Sequence, residues 1–269
     1  MLDKKFTVLD FGRKKQSGEK ITVLTAYDYP IARHIDSSGV DAILVGDSVG
    51  MVMLGYDSTV RVTMDEMIYH SKAVRRGVER AFLIADMPFM SYQVSDEDAV
   101  SNAGRFFKEA GCEAVKLEGG SEVVPRVKAI MDAGMLVLGH IGLTPQSVSK
   151  LGGYRVQGRD ADSSKKLLED AVALEKAGCF AVIVECVPES LAAKIAAKLN
   201  VPVIGIGAGK HCDGQILVTY DMIGYFDKFT PKFVKKYADV GSQIKDAVKA
   251  FKDETEKGAF PDDDHSFSQ

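Results

Sequence analysis

The chain has 269 residues, 46% of them hydrophobic, with 34 Lys and Arg against 38 Asp and Glu, a formal charge of -4 and no Trp. That length suits one (β/α)8 barrel with a large core, and the lack of any basic block argues against a nucleic-acid surface. No apolar run is long enough to span a bilayer and the start, MLDKKFTVLDFGRKKQSGEK, has no apolar leader, so a cytoplasmic protein acting on a small molecule is expected.

Residues 1–20 read as a charged N-terminal segment. Ile21 to Tyr27 is a β-branched and apolar run, a first strand, and Pro30 to Ser38 a short helix closed by Gly39. Ile43-Leu44-Val45 is a second buried strand ending in Gly46-Asp47-Ser48, with glycines at Gly50 and Gly55. Thr63 and Glu66 form a capping-box pattern for a helix that places Met64, Met67, Ile68, Ser71 and Val74 on one face. Ala81 to Ala85 is a third strand, running into Asp86-Met87-Pro88. Ser95 then starts a helix closed by Gly111, and a fourth strand, Ala114 to Leu117, ends at Glu118-Gly119-Gly120.

Ser121 to Ala133 reads as the next helix, and Met135 to Leu138 as a fifth strand delivering Gly139-His140. Ile141 to Asp162 shows little periodicity; a connection that long, carrying Arg155 and Arg159, is expected to order over a site when ligand binds. A helix from Ser164 to Ala177 and a sixth strand, Ala181 to Val184, lead to Glu185-Cys186-Val187-Pro188. Pro188 to Leu199 is helical, Val201 to Ile206 a seventh strand and Ile216 to Thr219 an eighth. The glycines from Gly205 to Gly209 lack dinucleotide spacing and are expected to let backbone approach a ligand at a barrel mouth. Pro231 to Lys257 is a charged helical stretch, and residues 258–269 form an acidic tail expected to be mobile. Cys112, Cys179, Cys186 and Cys212 lack zinc-type pairing and read as reduced core or structural thiols.

Eight buried strands alternating with helices, without hairpin signals, imply a parallel sheet, and that number in this length implies a closed (β/α)8 TIM barrel with a C-terminal helical tail, taken as one domain over residues 1–269. An internal echo supports this: Ala110 to Glu118 and Ala177 to Glu185 share helix end, strand and terminal Glu in one register. All strand C-termini of such a barrel open on one face, so Asp47, Asp86, Glu118, His140 and Glu185 should converge there. Two Asp and a Glu are hard donors suited to Mg²⁺ or another divalent cation such as Mn²⁺. Each residue also has a plain alternative: Asp47 as a helix or turn cap, Lys116 as a buried ion pair with Glu118 rather than a substrate contact, His140 as a satisfied core histidine.

The motifs VGDSVGM with GYDST, ADMPFMSY, KLEGG, GHIGLTPQS, GGYRVQGR, VECVP, VPVIGIGAG, DGQILV and a terminal HSF, in order from Ile21 to Phe267, resemble the ketopantoate (3-methyl-2-oxobutanoate) hydroxymethyltransferase family. The resemblance implies a barrel enzyme of pantothenate biosynthesis that moves a one-carbon unit from 5,10-methylenetetrahydrofolate to 3-methyl-2-oxobutanoate, giving 2-dehydropantoate through a Mg²⁺-stabilised enolate. It implies that Asp47 and Asp86 serve the Mg²⁺ site with Glu118 in its shell, that Ser48 and Lys116 contact the oxoacid along with Asp47 and Asp86, and that Glu185 accepts the proton. His140 is a supporting candidate. It also implies a homo-oligomer, a decamer built from pentameric rings. Two rivals remain: a metal-dependent barrel of the phosphoenolpyruvate mutase or isocitrate lyase kind, which would use similar strand-end acids although the catalytic Cys motif of isocitrate lyases is not found here, and a non-catalytic binding barrel, against which the intact strand-end acids speak.

Overall fold

The apolar runs close on one another. In the computed structural model, which describes residues 4–267, eight parallel strands pair in chain order and the first returns to the last. They are β1 (Ile21–Thr25), β2 (Ala42–Val45), β3 (Phe82–Asp86), β4 (Ala114–Glu118), β5 (Val137–Gly142), β6 (Ala181–Glu185), β7 (Val203–Ile206) and β8 (Gly214–Leu217). Every residue of β2, β3 and β4 is buried, because a parallel strand in a barrel faces helices on one side and the packed interior on the other. This explains why these strands read as continuous apolar runs instead of alternating ones.

The helices between them form where their end signals sit. Helix Met64–Arg75 begins with Thr63 and Glu66 bonded reciprocally: the Thr63 amide donates to the Glu66 carboxylate at 2.7 Å, and the Glu66 amide to Thr63 Oγ1 at 3.2 Å. Helix Asp96–Ala110 is capped by Ser95 and ends at Gly111 in the left-handed region. Boundaries shift where tertiary packing intervenes. β5 starts two residues later than the periodicity suggests and runs on to Gly142, and helix Ala161–Ala177 lies so close over it that a Cβ on Gly139 would stand 2.8 Å from Leu174 Cδ1. β8 begins at Gly214, where a Cβ would meet the Ile21 carbonyl at 2.5 Å, and ends before Thr219. Gly205 makes room for a core side chain instead of a ligand, since its Cβ would strike Cys212 Sγ at 2.8 Å.

One element escaped the sequence reading. Residues 8–17 form a helix, Val8–Ser17, that closes the end of the barrel where the strands begin. Its Phe11 is fully buried and meets Phe6, Phe82 and Phe180 edge to face at centroid separations of 5.1, 5.4 and 5.0 Å. Around that ring, Lys14 pairs with Asp41 and Lys15 with Asp213, both at 2.7 Å, while Lys5 pairs with Glu113 at 2.6 Å. All three acids lie just ahead of strands. The helix has few apolar residues, so its pattern looks like a charged leader until the lysines find their partners.

The chain divides into a compact unit reaching Val218, which contains the barrel, and a second from Thr219. The second unit holds a short helix, Thr219–Met222, and a long one, Val240–Glu256, none of whose residues is buried. The long helix starts nine residues after Pro231, where the Asp239 carboxylate accepts the Ser242 amide. Near the end, Asp262 caps a single turn, Asp263–His265. Residues 268–269 of the acidic tail lie outside the described residues. No helix among the described residues is long and apolar enough to cross a membrane. The four cysteines are free, and burial pushes the Cys112 and Cys179 thiols up to about 12, so these two are inert packing groups.

Removing the Phe11 ring opens a cavity under the barrel far from the strand-end acids. Phe11→Ala is expected to cost about 3 to 5 kcal/mol, read as a lowered midpoint in denaturant unfolding. A midpoint unchanged from the parent would mean that the helix does not hold this end closed.

Candidate active site at the barrel mouth

Strand register decides which side chains meet. Asp86 is the lateral neighbour of Lys116, Glu118 of His140, and Gly142 of Glu185. In a parallel barrel, neighbours in register point to the same side, and alternation along a strand keeps every second residue inward. Asp86, Lys116, Glu118, His140 and Glu185 therefore all face the interior at the strands' C-terminal ends. Asp47 joins them from just beyond β2. Gly142, at φ +94, is required at its place: a Cβ there would stand on the Glu185 carbonyl carbon at 3.1 Å and closer still to its oxygen.

Asp47, Asp86 and Glu118 each offer an oxygen within 4.8 Å of the other two, and all three are buried. Asp47 is no helix cap; its carboxylate turns into the barrel and accepts from Gln146 Nε2 at 2.9 Å, while its amide donates to Asp86 Oδ2 at 3.2 Å. Lys116 Nζ lies 2.9 Å from Asp86 Oδ1 and 3.4 Å from Glu118 Oε1, so it answers both acids. Apart from that ammonium, Asp86 Oδ1 is buried with no other donor among the described residues. Burial pushes the Asp86 carboxyl well above the usual range, with the Asp47 and Glu118 charges adding to it against the pull of Lys116. Burial likewise raises Asp47, helped by Glu118, and raises Glu118 despite Lys116. Burial opposes the charge on Lys116 too, but the three acids outweigh it and hold its ammonium protonated. Three carboxylates around one ammonium leave an excess of negative charge, and three buried hard oxygens at this spacing fit a divalent cation such as Mg²⁺.

His140 continues the chain of contacts. Its Nδ1 is 3.1 Å from Lys116 Nζ and its Nε2 is 3.1 Å from Glu185 Oε2. An ammonium has only protons to give, so Nδ1 accepts and the ring proton sits on Nε2, facing Glu185. That contact is angled away from an ideal hydrogen bond. Burial, then the Lys116 charge, depresses the imidazole and keeps it neutral. Glu185 differs from its neighbours: its side chain is 15% exposed, against 2 to 4% for Asp86, Lys116, Glu118 and His140, so it stands where a ligand entering the mouth can reach it. Ser48 is half-buried beside the cluster and shares a 2.8 Å hydrogen bond with the Tyr27 hydroxyl.

Gln146 and Tyr92 received no role from the sequence. Gln146 donates from Nε2 to Asp47 and to the Met87 carbonyl, both at 2.9 Å, and from its backbone amide to Glu118 Oε2 at 3.0 Å. Tyr92 donates to Gln146 Oε1 at 2.9 Å and also lies 3.0 Å from the Glu118 carbonyl. Through its carboxamide and its backbone amide, one glutamine thus ties Asp47, just past β2, and Glu118, at the end of β4, to the chain after β3. A lone Gln in TPQS gives no chemical signal; its place in the expected long loop was the only hint. That loop is shorter than expected, because β5 extends into it and a single turn, Pro145–Ser147, and a short helix, Val148–Leu151, follow. Arg155 and Arg159 are exposed.

Because a cation needs these carboxylates ionised and burial favours their protonated forms, binding must displace protons. Divalent-ion affinity should therefore rise with pH above the ordinary carboxylate range, and calorimetry in buffers of different ionisation enthalpy should detect proton release. An affinity independent of pH, with no proton released, would contradict the raised carboxyls.

The same fold occurs in phosphonopyruvate hydrolase complexed with oxalate and Mg²⁺ (TM-score 0.63, 13% identity, 96% of this chain and 92% of that one). 2,3-Dimethylmalate lyase, of the PEP mutase/isocitrate lyase superfamily, also shares it (TM-score 0.59, 14% identity, 97% and 92%). Sequence relatives are far nearer. The protein called 3-methyl-2-oxobutanoate hydroxymethyltransferase in Acetivibrio thermocellus is 55% identical over 99% of this chain and 94% of its own length. The protein of that name in Geobacter metallireducens is 54% identical over 99% and 100%. The family described as ketopantoate hydroxymethyltransferase matches residues 5–263, and with relatives this similar over nearly its whole length, this chain belongs to that family.

Proposed function

We propose that the chain is a hydroxymethyltransferase that moves the one-carbon unit of 5,10-methylenetetrahydrofolate onto 3-methyl-2-oxobutanoate, giving 2-dehydropantoate for pantothenate synthesis in the cytoplasm. The observation that carries this is the meeting of Asp47, Asp86 and Glu118 around Lys116, with the more exposed carboxylate of Glu185 reached through His140. Asp47 and Asp86, with Glu118 in the shell, would hold Mg²⁺, which supplies Lewis-acid stabilisation to the charge that develops on a 2-oxoacid losing its C3 proton. Ser48 and Lys116 contact the oxoacid, the ammonium compensating its carboxylate. Glu185 takes the C3 proton, with His140 Nε2 3.1 Å from its carboxylate as a polar neighbour. The electron pair left on C3 forms the new bond to the folate methylene as one of its two C–N pairs returns to nitrogen; water then replaces the second nitrogen, its oxygen becoming the hydroxyl, and the proton from C3 and one from water go to the two nitrogens of the departing tetrahydrofolate. The family resemblance further supports a homo-oligomer, a decamer of two pentameric rings.

The direct test is tetrahydrofolate release from the paired substrates with and without Mg²⁺; no release under either condition would leave a binding barrel as the better reading. Two variants separate metal from base. Asp86→Asn should weaken metal binding and, with it, oxoacid binding. Glu185→Gln should keep Mg²⁺-dependent oxoacid binding but slow exchange of the C3 proton with D2O by roughly 10²- to 10⁴-fold, the usual loss for a general base. Since exchange needs no folate, parent-like exchange in Glu185→Gln would assign the base elsewhere.

A further inference from the structure

On the outside of the barrel, helix Tyr29–Ser37 and the loop from Arg76 into β3 enclose a cleft of about 580 Å³. It is lined by four cations, Lys5, Arg33, Arg76 and Arg80, and by two acids, Asp36 and Glu79. The acids offset only half of that charge. Asp36 is buried and its carboxylate is spent on three backbone amides, those of Glu79, Arg80 and Ala81 at 2.7 to 3.2 Å. Glu79 is exposed at the edge. Among the described residues Arg33, Arg76 and Arg80 form no ion pair, while Lys5 is shared with Glu113. Arg80 donates to the Val40 carbonyl from one end of its guanidinium, and its Nε is buried with no partner.

The chain goes to some length to bring these cations together. Gly77 lets the loop lie against the helix: a Cβ there would stand 2.7 Å from the Tyr29 carbonyl and 3.0 Å from the Arg33 amide. Arg76, next to it, is thereby brought alongside Arg33. In a protein of formal charge -4, three guanidinium groups without an ion-pair partner around one concavity leave a local positive excess that an anion would relieve. The cleft is also separate from the catalytic mouth. Arg80 precedes β3 and Asp86, six residues on, ends it, which at about 3.3 Å per residue sets them about 20 Å apart.

We propose that this cleft is a binding site for a small phosphate-bearing anion, with Arg33 and Arg76 as its forks and Arg80 at its floor. Guanidinium groups match phosphoryl oxygens in pairs, and a volume of this size admits a di- or triphosphate-sized ligand.

The experiment is calorimetric titration of the full chain with inorganic pyrophosphate in metal-free buffer, repeated at increasing salt. One saturable site per chain, weakening with salt, is expected. Arg33→Ala and Arg76→Ala should each weaken it about tenfold or more, as loss of a charge-assisted contact does. Both residues are exposed, so the variants should fold, which circular dichroism checks. Lys72→Ala, removing an exposed cation of helix Met64–Arg75 outside the cleft, and Asp86→Asn at the mouth should leave the affinity as it was. No saturable heat at millimolar pyrophosphate, equal affinity in both arginine variants and the parent, or loss of binding in Asp86→Asn would each overturn the proposal.

Discussion

The site depends on a single buried ammonium. Lys116 stands among Asp47, Asp86 and Glu118 in a space almost closed to water, where unpaired charges of one sign are costly and burial drives carboxyls toward their protonated forms. The lysine makes the cluster tolerable without neutralising it. What remains is an electronegative pocket whose hard oxygens suit a divalent ion. The same ammonium sets the tautomer of His140 by occupying Nδ1, so the state of a histidine on β5 follows from a lysine on β4.

The two ends of the barrel are built differently. Where the strands begin, an aromatic cluster around Phe11 and lysine–carboxylate pairs lock the N-terminal helix in place. Where they end, buried polar groups are held by one another, with Gln146 joining acids from separate strands. Apolar packing can carry stability at one end because the buried charged groups are gathered at the other, the division expected of this architecture.

Likeness to phosphonopyruvate hydrolase and 2,3-dimethylmalate lyase at 13 and 14% identity shows that this framework carries other side chains as readily. The framework alone therefore does not identify the reaction. The loop after β5, which sends Gln146 across the mouth, and the step in register from Asp86 to Glu185 are the features through which one barrel can hold a particular set of groups.

Most of the architecture was legible in the chain, because buried parallel strands are continuous apolar runs and helix ends carry glycines and capping residues; the repeat of Ala110–Glu118 in Ala177–Glu185 announced both period and strand-end acid. The acids themselves were legible for the same reason: strand C-termini of a barrel must share a face. Their partners were not. Helix Val8–Ser17 has a weak apolar pattern and is held by acids that lie tens of residues or more away. The role of Gln146 depends on hydrogen bonds to Asp47 and Glu118 that no local pattern encodes. Whether Lys116 answers one acid or two was settled by lateral register, which pairs Asp86 with Lys116. Local propensity and burial periodicity belong to the sequence; stagger between strands, and hence which charges meet in the dry interior, exists only once the barrel has closed.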